Sequence, residues 1–134
     1  MHSEPVLIVD DNPVNLKLVR LLLSYEGFEV RTAQDANEAL AVLADFTPRL
    51  ILMDIQLPGM DGLELTRLLK ARSETRDIVI VAITAYAMKG DDLKALAAGC
   101  DGYLTKPIDT RTLPSVLAGY LAHDAGGAAA REGA

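Results

Sequence analysis

Short, continuously apolar runs alternate along this chain with longer stretches of helical period. Val6-Leu7-Ile8-Val9, Leu50-Ile51-Leu52-Met53 and Ile78-Val79-Ile80-Val81-Ala82-Ile83 contain no polar residue. A strand with one wet face alternates, whereas an unbroken run marks a strand covered on both faces, as in a parallel sheet. Two weaker strands complete the set. Phe28-Glu29-Val30-Arg31-Thr32 alternates and Gly102-Tyr103-Leu104 is short, so both are expected at sheet edges.

Helical stripes fill the intervals. Val14, Leu18, Leu21, Leu22 and Tyr25 recur at helical spacing, with Lys17, Arg20 and Ser24 opposite, which predicts the apolar set as the inward face. Asn12 and Pro13 suit the cap and first position of that helix, and Gly27 its C-terminal stop. Ala36, Ala39, Leu40 and Leu43 form a second stripe, and Leu65, Leu68 and Leu69 a third. Leu93, Leu96 and Ala97 form a shorter one closed by Gly99, and Leu113, Val116, Leu117, Tyr120 and Leu121 the last. Strict alternation of five strands with five helices predicts a doubly wound α/β sandwich.

The composition leaves room for one such domain. The chain has 134 residues, with 13 basic against 19 acidic side chains, hence a net charge of −6. Residues 5–122 are expected to form the folded domain. Residues 123–134, which lack large apolar side chains, are expected to form a flexible tail. An acidic chain lacks the electrostatic footprint for a phosphate backbone, so nucleic acid is not an expected partner. The single Cys100 excludes an internal disulfide and any cysteine-based zinc cluster. No secretory signal is apparent, and no apolar stretch approaches the ~20 residues of a spanning helix, so the expectation is a cytoplasmic protein without a membrane partner.

In an open parallel sheet, ligands collect at the C-terminal ends of the strands. Asp10 and Asp11 end the first predicted strand, Asp54 the third, Thr84 the fourth and Lys106 the fifth. Each residue alone has an ordinary role as a cap, turn or strand terminator. Together, from four strands, they are not explained by local turn chemistry. Three converging carboxylates against one ammonium repel one another unless a cation joins them. An all-oxygen set favours Mg²⁺, or Mn²⁺, over zinc. Since Mg²⁺ usually keeps positions for phosphate oxygens, the pattern points to phosphoryl transfer.

The segments LIVDDN, LILMDIQLPGMDG, VAITAYA and GYLTKPID carry these residues in order. In that order and spacing they resemble the receiver domain of two-component response regulators, over roughly Pro5 to Ala122. The resemblance implies a five-stranded (βα)5 fold of the flavodoxin and CheY type, with strand order 2-1-3-4-5. It implies that Asp54 accepts a phosphoryl group from the phosphohistidine of a histidine kinase or phosphotransfer protein. Asp10, Asp11, Asp54 and the backbone carbonyl of Gln56 would hold Mg²⁺. Lys106, Thr84 and the backbone of Ala85 would hold the phosphoryl oxygens, and Tyr103 would be the aromatic switch. Pro107 would follow a cis peptide bond. Gln56 and Tyr86 flank the expected acyl phosphate and would tune its lifetime.

The implied function is a switch, not a turnover enzyme. It would act on a downstream effector protein through the face of the fourth helix, fifth strand and fifth helix. A phosphorelay carrier that passes the group to another histidine is an alternative. An aspartate-dependent phosphohydrolase is a weaker one, because such enzymes generally carry a second Asp where this chain has Gln56. A flavodoxin-like redox module is weaker still, as no Gly/Ser/Thr-rich phosphate loop follows the first strand.

Overall fold

A computed structural model describes residues 4–57, 59–84, 91–106 and 108–126. Five strands and five helices alternate: β1 (Pro5–Val9), α1 (Pro13–Tyr25), β2 (Glu29–Ala33), α2 (Ala36–Leu43), β3 (Leu50–Asp54), α3 (Gly62–Ala71), β4 (Val79–Thr84), α4 (Asp91–Ala98), β5 (Gly102–Thr105) and α5 (Leu113–Gly126). The strands form one parallel sheet in the order β2-β1-β3-β4-β5. The alternating and the short segment occupy its edges. The final helix continues to Gly126, beyond the expected domain end at 122.

Successive residues of a strand point to opposite faces, so the unbroken apolar runs split between two cores. Leu7, Val9, Ile51, Met53, Ile80 and Ala82 pack with Ala36, Ala39, Leu65, Leu69 and Ala95. Val6, Ile8, Leu50, Leu52, Val79, Val81 and Ile83 pack with Leu16, Val19, Leu23, Leu113, Leu117 and Leu121. The sheet is thus covered on one face by α2, α3 and α4, and on the other by α1 and α5.

Two helices bury a different face from the one their periodicity suggested. In α1 the inward residues are Leu16, Val19 and Leu23, while Val14 (73% exposed), Leu18, Leu21 and Tyr25 (87% exposed) face solvent; Leu22 is half-buried. Both sets fit a helical period, because apolar residues cover more than half of the circumference of α1 and leave only a narrow polar stripe at Lys17, Arg20 and Ser24. Its rotation is fixed instead by docking on the sheet, where Leu16, Val19 and Leu23 join the core, while at its start Asn12 accepts hydrogen bonds from the amides of Val14 (2.9 Å) and Asn15 (3.3 Å). In α4, Ala95 and Ala98 turn inward and Leu93, Leu96 and Ala97 outward. Small side chains there allow the helix to approach its neighbours closely.

Candidate functional site

The site begins at the end of β1. Asp10 leaves the strand with its amide bonded to the Ala33 carbonyl at 3.0 Å, which keeps it in the plane of the sheet. Its carboxylate accepts the Asn12 amide at 2.9 Å. Asp10 is buried and Asp11, next in line, is exposed. The sheet register carries β3 one residue further than β1, so Asp54 comes up beside them, 2% exposed. Oxygens of Asp10, Asp11 and Asp54 all lie within 4.8 Å of one another.

Lys106 closes the pocket from the β5 edge. Its ammonium donates to Asp54 Oδ2 at 3.0 Å and lies 3.5 Å from Asp10 Oδ2. The backbone places it there, because its amide donates to the carbonyl of Thr84 at 2.7 Å. Thr84, buried at the end of β4, and Lys106 are therefore tied to each other main chain to main chain. A movement of either strand end is transmitted to the other.

Burial pushes the Asp54 carboxyl above its ordinary value, and the negative charge of Asp10 adds to the rise. The Gln56 amide, at 2.9 Å from Oδ1, and the Lys106 ammonium oppose it without cancelling it. For Lys106, burial acts downward. The hydrogen bond and charge of Asp54, with Asp10 behind it, outweigh burial and hold the ammonium above its usual range. The pocket thus contains three carboxylates and one firmly protonated lysine. It is short of positive charge.

That deficit can be tested against a divalent ion. Mg²⁺ binds oxygens at about 2.1 Å in an octahedron, so its ligand atoms lie roughly 3–4 Å apart. The Asp cluster meets this with small rotations, above all of the exposed Asp11. No soft ligand is among the three residues. The donor set fits Mg²⁺ and does not fit zinc.

Among the other sequence candidates, Gln56 lies beside Asp54 through its amide. Tyr103 is half-buried on β5 and packs against the core on the α2–α3–α4 side. Ala85, Tyr86 and Pro107 lie outside the described residues.

Gly62 was not picked out from the sequence. It opens α3 after the Asp61 cap, whose carboxylate accepts the Glu64 amide at 2.9 Å. A Cβ at Gly62 would stand 2.7 Å from Ile55 Cα, 3.0 Å from the Asp54 carbonyl carbon, and closer still to the Asp54 carbonyl oxygen. The Gly62 amide also donates to the Ile55 carbonyl at 3.2 Å. The helix start is thus pressed directly onto the Asp54–Ile55 backbone. A glycine where helix propensity alone disfavours it was the available signal.

Comparison with known proteins places this arrangement in context. Residues 6–118 match the family model described as the response regulator receiver domain. The chain is 42% identical over 119 residues to the polar-differentiation response regulator DivK of Brucella ovis, covering 89% of this chain and 97% of that protein. Its fold is similar to the CheY-like receiver domain protein of Methanospirillum hungatei, with TM-score 0.83 and 33% identity over 92% of this chain and 97% of the other. It is also similar to the receiver domain of the sensor histidine kinase PA1611 of Pseudomonas aeruginosa, which was solved with a magnesium ion coordinated in its active-site cleft. There the TM-score is 0.80 and the identity 34%, over 89% and 98% of the two chains.

Proposed function

Because the chain belongs to the response regulator receiver domain family, and so is a phosphorylation-activated switch of a two-component system, we propose that Asp54 is its phosphoacceptor. The observation that carries this reading is the placement of Asp54. It is buried beside Asp10 and Asp11, with Lys106 donating to one oxygen and the Gln56 amide to the other.

A phosphohistidine from a histidine kinase or phosphotransfer protein approaches the mouth of the pocket. The P–N bond breaks as a P–O bond forms to an Asp54 oxygen, and the electron pair remains on the imidazole nitrogen. Asp10, Asp11, Asp54 and the Gln56 carbonyl would hold Mg²⁺, which when bound would supply charge neutralisation at the phosphoryl oxygens. Lys106 exchanges its bond to Asp54 for one to a phosphoryl oxygen. Thr84 turns its hydroxyl to another. Where the carboxylate carried one negative charge, the product carries close to two.

The altered Thr84 position moves the strand end to which Lys106 is bonded, and the half-buried Tyr103 on β5 responds. Converting a 1:99 equilibrium to 99:1 requires about 5.5 kcal/mol of differential interaction. A few charge-assisted hydrogen bonds of about 1.5–3 kcal/mol each are of the right size. The readout surface is formed by α4, β5 and α5, where Leu93 and Leu96 stand exposed for an effector protein. The phosphodonor docks at α1, whose exposed Val14, Leu18, Leu21 and Tyr25 run away from the pocket mouth at Asp11. The setting that goes with this reading is the cytoplasm, and none of the helices among the described residues is long and apolar enough to cross a membrane.

The test is incubation with a small phosphodonor and Mg²⁺, followed by intact mass. One phosphoryl group is expected on the wild-type chain and none on Asp54→Asn. Labelling that persists in the variant refutes the assignment. Repeated rapid turnover of phosphomonoesters would identify a phosphohydrolase instead.

A further inference from the structure

Thr66 is a hydroxyl inside an otherwise apolar helix face. It lies on α3, fully buried, between Leu65 and Leu69 on the side turned to the sheet. Its hydroxyl donates to the Gly62 carbonyl at 2.8 Å and accepts the Cys100 thiol at 3.8 Å. A buried threonine that bonds back to the carbonyl four residues earlier slightly destabilises a helix and often bends it. At this position the bond falls on the residue pressed against the acceptor loop.

Gly62 meets the loop at two points and Thr66 at a third. The Gly62 Cα lies against Asp54 and Ile55 closely enough to exclude a side chain, its amide donates to the Ile55 carbonyl, and its carbonyl takes the Thr66 hydroxyl. One residue beyond Ile55 is Gln56, whose amide holds Asp54 Oδ1 at 2.9 Å. The path from Cys100 through Thr66 and Gly62 to Ile55 and Gln56 is continuous and made of hydrogen bonds and chain neighbours. It joins the segment before β5 to the main chain that orients the acceptor carboxylate.

The geometry points to Thr66 as a positioning residue for the loop of Asp54, Ile55 and Gln56. Its hydroxyl sets the pitch of the first turn of α3, and Gly62 transfers that setting through its amide to the Ile55 carbonyl, the oxygen of the Gln56 peptide. The inference deepens the receiver reading, since this loop is the one proposed to bind Mg²⁺ and to accept the phosphoryl group. Groups that orient metal ligands from behind are typically worth 10–100-fold in affinity or activity.

The test compares Thr66→Val, which keeps the shape and removes the hydroxyl, with Thr66→Ser, which keeps the hydroxyl. In the metal-free protein, hydrogen exchange at the Gln56 amide is expected to quicken in Thr66→Val, with the central strands β1 and β3 unchanged. Mg²⁺ affinity, measured by calorimetry, is expected to fall about tenfold. Thr66→Ser should restore both. Wild-type exchange and affinity in Thr66→Val overturn the proposal, as does loss of both in Thr66→Ser. If the valine variant does not fold, Thr66→Ala takes its place against Thr66→Ser; failure of both to fold assigns the hydroxyl to the fold and overturns the positioning role. A wild-type chain that binds Mg²⁺ but takes up no phosphoryl group sinks the functional reading instead, and the loop measurements still decide for or against Thr66.

Discussion

Replacing Gly62 by alanine sets two physical effects against each other, and the structure decides between them. Helix propensity favours alanine over glycine by about 1 kcal/mol in a helix interior, so a sequence-based rule expects a more stable protein. The added Cβ, however, would stand 2.7 Å from Ile55 Cα and 3.0 Å from the Asp54 carbonyl carbon. These are main-chain atoms of a buried strand end, and they cannot rotate away as a side chain would. Relief requires the first turn of α3 to retreat by roughly an ångström, against the Leu65 and Leu69 packing that holds it. Overpacking of this kind typically costs about 1–3 kcal/mol. The expected net effect is a loss of about 1–2 kcal/mol, seen as a lower urea midpoint at unchanged slope. For a domain of this length that corresponds to a fall in Tm of roughly 3–10 °C. The retreat also carries Gln56 off its bond to Asp54, so phosphoryl uptake should slow in the folded variant. A midpoint equal to or above wild type would refute the close-approach reasoning, whatever happened to uptake.

Other perturbations report on other parts of the molecule. Burial raises the Asp54 pKa in the fold, so its contribution to stability is fully present below the unfolded value of about 3.9 and is lost as pH rises through the folded value. Asp54→Asn should therefore be the more stable metal-free protein at neutral pH, with the advantage vanishing near pH 4; urea melts across that range check it, and a less stable variant at pH 7 contradicts it. Mg²⁺ at ten times its Kd should stabilise the wild-type chain by about 1.4 kcal/mol, and Asp54→Asn by less at the same concentration, as read from thermal shifts. Lys70 donates from one ammonium to the carbonyls of Arg76 and Ile78 and to Asp101 Oδ2. Lys70→Met, which breaks that junction, should cost about 2–3 kcal/mol in a denaturant melt without altering the phosphorylation site. Leu18→Ser on the exposed face of α1 should leave stability within about 0.5 kcal/mol. It should slow transfer from a histidine phosphodonor protein but not from a small phosphodonor, and equal slowing of both would remove α1 from the docking surface.

The parts legible in the sequence share one physical property, namely that they depend on local composition alone. Continuous apolar runs can be satisfied only by burial on both faces, so β1, β3 and β4 were readable, as were the alternating and short segments at the edges. The polar residues that close those runs necessarily share the C-terminal edge of a parallel sheet. Asp10, Asp54, Thr84 and Lys106 follow from strand order without any knowledge of side-chain packing. Caps such as Asn12 are equally local, because the bonds they make span two or three residues.

Rotation and close approach were not legible in this way. Helix α1 carries two apolar stripes that satisfy the same period, and only its docking on the sheet selects Leu16, Val19 and Leu23 for burial and leaves Val14, Leu18, Leu21 and Tyr25 outside. In α4, hydrophobicity favoured Leu93 and Leu96, whereas the space beside the neighbouring elements admits Ala95 and Ala98. Gly62 and Thr66 owe their importance to atoms of Asp54, Ile55 and Cys100, the last of them 34 positions from Thr66 along the chain. The sequence by itself determined which strands exist, which residues end them and hence the chemistry of the pocket. Only the tertiary structure decided which helix faces remain open and how tightly α3 bears on Asp54 and Ile55, because both depend on the fit between surfaces far apart in the chain.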